Sequence, residues 1–231
     1  MTTLVKICGL STPETLDVAL DAGADAVGFV FFPPSPRNLS FEQARALGAR
    51  VKGRARKVAL TVDADDALFE KIIGALKPDM LQLHGHETPQ RVAAIRESFG
   101  LPVMKVFPIE TKADLAAIAP YTSDADRLLF DARPPRDATR PGGLGKAFDW
   151  HLLEDLNLSI PFMLSGGLHA GNVAEALAIT KAGGVDVSSG VESAPGAKDP
   201  DKIRAFIRAA RAGAPSPLPG GERSATRSVV G

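Results

Sequence analysis

FMLSGGL at residues 162–168 and GVDVSSGVE at residues 184–192 are the two stretches that decide the predicted fold. Each is a short apolar run that ends in glycine and serine, and a helical pattern follows further on. Glycine and serine leave backbone N–H groups uncovered, and a helix start adds unpaired donors and the positive end of its dipole. Either turn alone is compatible with an ordinary tight turn. Two of them after successive strands match the phosphate site that (β/α)8 barrels form after strands seven and eight. The predicted phosphate-binding residues are Gly166, Gly167, Ser188, Ser189 and Gly190.

Outward from these stretches, short β-rich runs alternate with longer amphipathic ones. The predicted strands are residues 4–8, 26–31, 57–62, 80–84, 103–107, 127–131, 162–165 and 184–187. Strands that alternate with helices indicate a parallel sheet, and eight such units can close it. We therefore predict a single α/β domain, a (β/α)8 TIM barrel. An open doubly wound sheet is the alternative, although no glycine-rich dinucleotide fingerprint follows the first strand.

Helix starts are indicated by residues that can cap a helix: threonine before proline twice, serine with glutamine three residues later, and two further polar residues. The predicted caps are Thr12, Ser40, Asp63, Thr88 and Thr111.

The barrel is predicted to occupy residues 1–212, and its last helix residues 199–212. From Gly213 onward the chain is rich in proline, glycine and serine, so we predict a disordered extension over residues 213–231. The connection at residues 132–146 contains prolines and glycines that exclude a helix, and it is long enough to act as a lid.

Charge and hydropathy restrict the class of partner. The 231 residues contain 27 Lys plus Arg and 27 Asp plus Glu, and no block of like charge indicates a nucleic-acid or membrane surface. The sequence shows neither a signal peptide nor an apolar run of about 18 residues. The single cysteine, Cys8, fits a reducing compartment. We expect a cytoplasmic protein with a small-molecule partner.

Residues that close the strands are the chemical candidates, since the active site of a parallel barrel lies at the carboxyl ends of its strands. Cys8 closes the first strand; it is either a small buried hydrophobe or, beside a cation, a usable base. Asp131 closes the sixth strand after the apolar residues 128–130, where a carboxylate is unfavourable unless it is solvated, paired or functional. As a general acid it would need a pKa raised by burial, whereas a structural Asp131 would cap the next segment or pair with Arg133 or Arg136.

Arg37 and His84 are candidates for binding. Arg37 follows a proline-rich loop after the second strand, where a guanidinium suits a substrate carboxylate through two parallel hydrogen bonds. A solvated loop arginine is the alternative. His84 closes the fourth strand; a hydrogen-bonded structural histidine is the simpler interpretation, and substrate contact is the other.

Several motifs occur in order over residues 4–200, and their combination is specific although each alone is weak. They are KICG (6–9), GFVF (28–31), SPR (35–37), QLHG (82–85), FDA (130–132), GGLGKAFDW (142–150), LSGGL and VDVSSGVE. With these motifs the chain resembles the phosphoribosylanthranilate isomerases, which catalyse an Amadori rearrangement in tryptophan biosynthesis. Leu144 departs from the small polar residue that is frequent there, and the extension from Gly213 has no counterpart.

The resemblance implies conversion of N-(5'-phosphoribosyl)anthranilate to 1-(2-carboxyphenylamino)-1-deoxyribulose 5-phosphate, without metal or cofactor. It implies that Asp131 is the general acid that opens the furanose to a Schiff base, and that Cys8 is the general base that removes the C2 proton. Arg37 would bind the anthranilate carboxylate, and the two Gly/Ser loops the phosphate. Asp186 shares a strand face with Ser188 and is a candidate for contact with the sugar hydroxyls.

Other functions remain open at this stage. A Schiff-base aldolase or lyase would use Lys6 or Lys105 inside the barrel. A non-catalytic sensor would bind a phosphorylated metabolite through the two loops. The sequence also leaves open whether the chain is a monomer or a homodimer, and whether it accepts a related histidine-pathway aminoaldose.

Overall fold

A computed structural model describes residues 3–134, 138, 141–143, 145 and 147–213. Eight parallel strands close into a barrel in chain order, with the first strand paired to the eighth. The strands are β1 (Leu4–Cys8), β2 (Ala26–Phe31), β3 (Arg56–Thr61), β4 (Met80–Leu83), β5 (Val103–Ile109), β6 (Arg127–Ala132), β7 (Phe162–Leu164) and β8 (Gly184–Val187). The predicted barrel is confirmed, and the open doubly wound sheet is wrong.

Helices surround the barrel less regularly than the sequence predicts. In the described part of the chain the α-helices are α1 (Pro13–Asp21), α2 (Phe41–Val51), α3 (Asp66–Leu76), α4 (Pro89–Phe99), α5 (Val173–Thr180) and α6 (Pro200–Ala212). The segments after β5 and β6 contain 3-10 helices instead, at Lys112–Ala117, Ala119–Tyr121 and Trp150–Leu153. An antiparallel hairpin of β9 (Glu192–Ala194) and β10 (Ala197–Lys198) lies between β8 and α6.

The predicted caps agree with the structure in three places. Thr12, Ser40 and Thr88 each accept a hydrogen bond from a backbone N–H in the first turn of α1, α2 and α4. The prediction for Asp63 is wrong, because Asp65 caps α3 by accepting from the Leu68 N–H at 2.8 Å. Asp63 instead accepts from the backbone of His86, in the loop after β4, at 2.6 Å. Thr111 precedes a 3-10 helix rather than an α-helix.

The barrel interior contains an apolar cluster, and polar groups lie closer to the carboxyl ends of the strands. An inner cluster fills the middle of the barrel; its members are Val58, Met80, Met104, Val106, Leu129 and Met163. Because successive side chains of a strand alternate between its two faces, Lys6 and Cys8 of β1 share one face. Leu4, on the same face of β1, packs against the inner cluster, so this face is the interior. Gly28 of β2 leaves room there, because a Cβ atom would lie 2.9 Å from Cys8 Sγ and 3.0 Å from Lys6 Nζ. Polar groups therefore occupy the barrel toward the carboxyl ends of its strands.

Two sequence predictions concern residues outside the described part. Most of the extension predicted from Gly213 lies there, as do residues 135–137, 139–140, 144 and 146 of the connection predicted to act as a lid. The domain boundary at residue 212 and the lid stay predictions. Among the described residues, no helix has both the length and the apolar character needed to span a membrane.

Candidate active site

A pocket of about 820 Å³, including its open mouth, lies at the carboxyl ends of the barrel strands. All ten residues that the sequence singles out for chemistry or binding line it: Cys8, Arg37, His84, Asp131, Gly166, Gly167, Asp186, Ser188, Ser189 and Gly190. The fold thus brings together residues from six strand ends, because parallel strands of a barrel all end at the same rim.

Cys8 lies beside a buried ion pair. Lys6 Nζ donates a hydrogen bond to Asp186 Oδ1 at 2.8 Å, and the register of β1 on β8 places these two residues side by side. Burial raises the pKa of the Cys8 thiol above its ordinary value, while the charge of Lys6 acts against that increase. Burial alone would lower the pKa of Lys6, but Asp186 and Cys8 raise it above its ordinary value. At neutral pH the pocket therefore contains a charged Lys6 next to a protonated thiol.

Asp131 is buried at the end of β6, and its pKa is strongly raised. Its Oδ1 accepts from the Ala132 N–H at 2.9 Å, and its Oδ2 lies 3.5 Å from His84 Nε2. Burial, followed by the negative charge of Asp186, raises the pKa of Asp131 to about 7. A carboxyl group with this pKa can donate a proton near neutral pH. It does not pair with Arg133, whose guanidinium binds Asp114 instead.

His84 is a neutral neighbour of this carboxyl group. Burial, with the positive charges of Lys105 and Lys6, lowers the pKa of His84 to about 3. The imidazole is therefore uncharged at neutral pH and can offer one donor and one acceptor to a ligand. His84 lies just beyond β4, which ends at Leu83 rather than at His84 as the sequence predicts.

The two Gly/Ser loops touch each other at the rim of the pocket. Gly166 and Gly167 have φ values of 86° and 64°, which favour glycine. Their backbone N–H groups have no acceptor among the described residues. At Gly190 a Cβ atom would collide with the carbonyl oxygen of Leu168, so a side chain there would push the two loops apart. The arrangement leaves backbone donors available for an anion such as phosphate.

Arg37 is buried rather than solvated, so the solvated alternative is wrong. Its Nε and Nη2 donate to the two carboxylate oxygens of Glu192, each at 2.7 Å, and Nη2 also donates to the Gly143 carbonyl oxygen at 3.3 Å. The two parallel hydrogen bonds that the sequence predicts for a substrate are thus made to Glu192. Nη1 has no acceptor among the described residues and is the nitrogen that remains for a ligand.

Both amines of the aldolase alternative are ion-paired. Lys105 lies on the outer side of the sheet, because its neighbours Met104 and Val106 belong to the inner cluster. Its Nζ donates to Glu87 at 2.8 Å and to the Gly85 carbonyl oxygen at 2.7 Å. The expectation that Lys105 lies inside the barrel is therefore wrong. Lys6 does face the interior, but Asp186 keeps it charged and thus not nucleophilic.

Three residues near the pocket have no role assigned to them from the sequence: Gln82, Glu192 and Lys198. Gln82 lines it, and its buried amide oxygen has no hydrogen-bond partner among the described residues. Its place two residues before His84, on the same strand face, is a signal that was available. Glu192 and Lys198 form buried ion pairs in the hairpin after β8. The signals available were that Glu192 closes the quoted stretch GVDVSSGVE and that Glu192 and Lys198 flank a Pro-Gly turn.

A parallel barrel with a proton-donating carboxyl group and a thiol in one pocket, beside two glycine-rich loops, defines an enzyme of the (β/α)8 class. The family model described as N-(5'phosphoribosyl)anthranilate (PRA) isomerase matches residues 5–209. The chain therefore belongs to the N-(5'-phosphoribosyl)anthranilate isomerase family. This membership makes it an isomerase and sets aside the sensor and aldolase alternatives.

Individual relatives agree with this assignment. An N-(5'-phosphoribosyl)anthranilate isomerase of Bradyrhizobium diazoefficiens is 69% identical over 212 residues, which are 92% of this chain and 95% of the relative. One from Rhodopseudomonas palustris (strain BisB5) is 66% identical, over 92% and 97% of the two chains. The crystal structure of phosphoribosyl anthranilate isomerase from Thermotoga maritima aligns with a TM-score of 0.82 at 33% identity, covering 91% of this chain and 99% of that one. A further structure, with a TM-score of 0.78, 30% identity and the same coverage, is a complex with reduced 1-(o-carboxyphenylamino)-1-deoxyribulose 5-phosphate.

Proposed function

We propose that this chain catalyses the Amadori rearrangement of N-(5'-phosphoribosyl)anthranilate to 1-(2-carboxyphenylamino)-1-deoxyribulose 5-phosphate in tryptophan biosynthesis. Asp131 acts as the general acid and Cys8 as the general base. The observation that carries the assignment is the buried Asp131 carboxyl group, whose pKa is raised to about 7 in the pocket that also contains Cys8. Such matching of the pKa to the working pH is what general acid catalysis requires.

In the first step, Asp131 donates its proton to the furanose ring oxygen. The bond between that oxygen and C1 breaks, and the nitrogen lone pair forms the C1=N bond of a protonated Schiff base. Asp131 is left as a carboxylate, and the nearby charge of Lys6 favours this ionised form. The neutral His84, 3.5 Å away, adds no positive charge that would lower the pKa of Asp131 and remove its proton before the substrate binds.

In the second step, the Cys8 thiolate removes the proton from C2. The electrons of the C2–H bond form a C1=C2 bond, and the C=N electrons return to nitrogen to give an enolamine. Protonation at C1 and loss of the hydroxyl proton at C2 then give the ketone. Because burial keeps Cys8 protonated, the productive arrangement of thiolate and carboxylic acid is a minor one. Lys6 is the main group that stabilises the thiolate, and the charge of Lys198 acts in the same direction.

Binding contributes the remaining acceleration by holding the sugar and its two substituents in place. We assign the phosphate to the loops at Gly166–Gly167 and Ser188–Gly190, and the anthranilate carboxylate to Nη1 of Arg37. Asp186, which uses Oδ1 for Lys6, retains Oδ2 for a sugar hydroxyl. His84 is assigned to substrate contact as a neutral hydrogen-bonding group.

The test is turnover of N-(5'-phosphoribosyl)anthranilate by the wild-type chain, Cys8→Ser and Asp131→Asn. We expect wild-type turnover and a loss of about two orders of magnitude or more in each variant, since positioned proton transfer contributes about 10²- to 10⁴-fold. Thermal stabilisation by inorganic phosphate serves as the folding control. A folded wild type that is inert would contradict the proposed reaction, and loss in only one variant would contradict the role of the other residue.

We also propose that the chain acts in the cytoplasm as a monomer or homodimer. The support is a neighbour with 31% identity and a TM-score of 0.77, which is described as monomers generated from the dimeric isomerase of Thermotoga maritima. Sedimentation velocity at several protein concentrations measures the oligomeric state directly. A stable assembly larger than a dimer would contradict the proposal.

A further inference from the structure

A buried network of three charged side chains connects Arg37 to Ser188 in the loop after β8, and both of these residues line the pocket. Arg37 donates twice to Glu192, and Lys198 Nζ donates to Glu192 Oε1 at 2.7 Å. All three side chains are at most 4% exposed. Glu192 begins the β9–β10 hairpin and Lys198 ends it. The hairpin therefore carries Glu192, the partner of Arg37, and Lys198, the partner of Ser188 in the loop after β8.

Glu192 has its hydrogen-bonding capacity filled. Oε1 accepts from Arg37 Nε and Lys198 Nζ, and Oε2 accepts from Arg37 Nη2 and from the Gly196 N–H at 3.2 Å. A carboxylate offers about four lone-pair sites, so none is left for a ligand. Burial acts to raise the pKa of Glu192, but the hydrogen bonds and charges of Arg37 and Lys198 hold it below its ordinary value. Glu192 is thus a fixed anion that orients Arg37.

Lys198 is committed in the same way, toward the phosphate end of the pocket. Besides Glu192, its Nζ donates to the Ser188 carbonyl oxygen at 2.9 Å and to Ser188 Oγ at 3.1 Å. An ammonium group has three hydrogens, so these three bonds use all of them. Lys198 therefore acts on a phosphate through Ser188 and not by direct contact.

The hairpin turn is also fitted against the loop that carries Arg37. Gly196 has a φ of 85°, and a Cβ atom there would lie 2.8 Å from the Pro36 carbonyl oxygen. The close approach of the two backbones keeps the position of Arg37 dependent on the hairpin.

We infer that Glu192 and Lys198 are positioning residues, which couple recognition of the anthranilate carboxylate to recognition of the phosphate. Glu192 holds Arg37 so that Nη1 is the donor left for the carboxylate, and Lys198 fixes Ser188 in the phosphate loop. This inference rests on the proposed function, because that function supplies a substrate with both groups. The network carries one net positive charge, which suits an anionic ligand.

The first experiment compares two ligands by titration calorimetry. One is reduced 1-(o-carboxyphenylamino)-1-deoxyribulose 5-phosphate, and the other is the same compound with phenyl in place of carboxyphenyl. The ratio of their affinities measures what the carboxylate contributes. We expect Glu192→Gln to reduce this ratio by about tenfold, as for a coupled charged pair, and to raise KM more than it lowers kcat.

Glu192→Asp separates position from charge. It keeps the negative charge but is one methylene shorter, so it cannot reach both Arg37 and Lys198. We expect it also to reduce the carboxylate preference. An unchanged preference in folded Glu192→Asp, or tighter binding of the carboxylate ligand by Glu192→Gln, would show that Glu192 is only a countercharge and would overturn the inference.

The second experiment tests the other end with inorganic phosphate alone. Lys198→Met is expected to weaken phosphate binding by about tenfold, because Ser188 loses its anchor. The matched control is Arg211→Gln, which removes hydrogen bonds to Thr3, Gly23 and Asp25 at the opposite end of the barrel. The control should be less stable than wild type, but its ligand-affinity ratio and its affinity for phosphate should be unchanged. Unchanged phosphate affinity in Lys198→Met, or equal losses in the control, would overturn the coupling.

Wild-type turnover is measured on the same samples, so that the two proposals fail separately. A wild type that binds both ligands without turnover would contradict the proposed reaction, while the ligand ratios still decide the role of Glu192. An active wild type whose hairpin variants match it in the ligand-affinity ratio and in phosphate affinity would overturn only the positioning role.

Discussion

Among the buried lysine–carboxylate pairs of the described residues, Lys6–Asp186 and Lys105–Glu87 have the same nitrogen–oxygen distance of 2.8 Å, but only the first faces the barrel interior. Lys6 and Asp186 join β1 to β8 inside the barrel. Lys105 and Glu87 join β5 to the loop after β4 on the outer side. The chemical groups are alike, so the neighbours of each pair decide what it does.

The outer pair is hydrogen-bonded mainly to backbone groups, although the charge of Lys105 also lowers the pKa of His84. Glu87 also accepts from the N–H groups of Asp63 and Gly85, each at 3.0 Å, and Lys105 also donates to the Gly85 carbonyl oxygen. Both charges are thereby satisfied, and together they fix the loops after β3 and β4. This is a structural use of a buried ion pair.

The inner pair is surrounded by groups that titrate. Lys6 makes one hydrogen bond to Asp186, and its other neighbours include Cys8. The charges of this pair act in opposite directions on the pKa of both Cys8 and Asp131. A buried ion pair thus serves catalysis when its charges shift the pKa values of the groups that transfer protons, here Cys8 and Asp131.

The largest effect on stability is expected for the outer pair. Lys105→Met leaves Glu87 as an unpaired buried charge, which should lower the free energy of unfolding by about 3–5 kcal/mol. Denaturant unfolding at neutral pH measures this change. A loss below about 1 kcal/mol would show that backbone donors alone satisfy Glu87. That result would contradict the claim that the Lys105–Glu87 pair stabilises the fold.

A smaller, pH-dependent effect is expected for Asp131. Its pKa of about 7 in the fold lies above the unfolded value of about 3.9, so the folded chain binds an additional proton between these values. Stability is therefore lost as the pH rises through this window. Asp131→Asn cannot ionise, so it should be more stable than wild type above pH 7, by at most about 4 kcal/mol, with the difference vanishing near pH 4.

Thermal melts of wild type and Asp131→Asn across this pH range measure the difference. A difference that stays constant with pH would mean that Asp131 ionises normally in the fold. That result would remove the basis for its role as the general acid.

The smallest effect is a shift in the titration of Cys8. Since it is the only cysteine in the chain, ultraviolet absorbance of the thiolate reports a single group. We expect its midpoint above the ordinary value of about 8.5, and higher again in Lys6→Met, which lacks the opposing charge. A wild-type midpoint below the ordinary value would mean that the positive charge of Lys6 outweighs the effect of burial on the pKa of Cys8.

Much of the fold and the membership of the pocket were predictable because their signals are local. Alternating strand and helix patterns, with polar residues closing apolar strands, place Cys8 and Asp131 at one rim once the sheet is parallel. Helix caps such as Thr12 and Thr88 are likewise indicated by a local pattern, because each threonine directly precedes a proline.

The interactions that tune the pocket were not predictable, because they join distant parts of the chain. Lys6 and Asp186 are 180 residues apart and meet only because β1 closes on β8. Arg37 and Glu192 are 155 residues apart and depend on a hairpin that interrupts the regular repeat. Pattern reasoning assigns such charges to solvent or to a substrate, since it contains no information about which side chains face each other.

The most direct test of the inner pair's role is the kcat/KM for N-(5'-phosphoribosyl)anthranilate, measured for Lys6→Met and Lys105→Met under conditions where both are folded. Without Lys6 the thiolate form of Cys8 becomes rarer, so we expect a loss of about two orders of magnitude. Lys105→Met, despite its lower stability, should stay within about threefold of wild type, because it touches no reacting group. Equal losses in the two variants, or an active Lys6→Met, would contradict the claim that the inner pair sets the acid–base chemistry of this barrel.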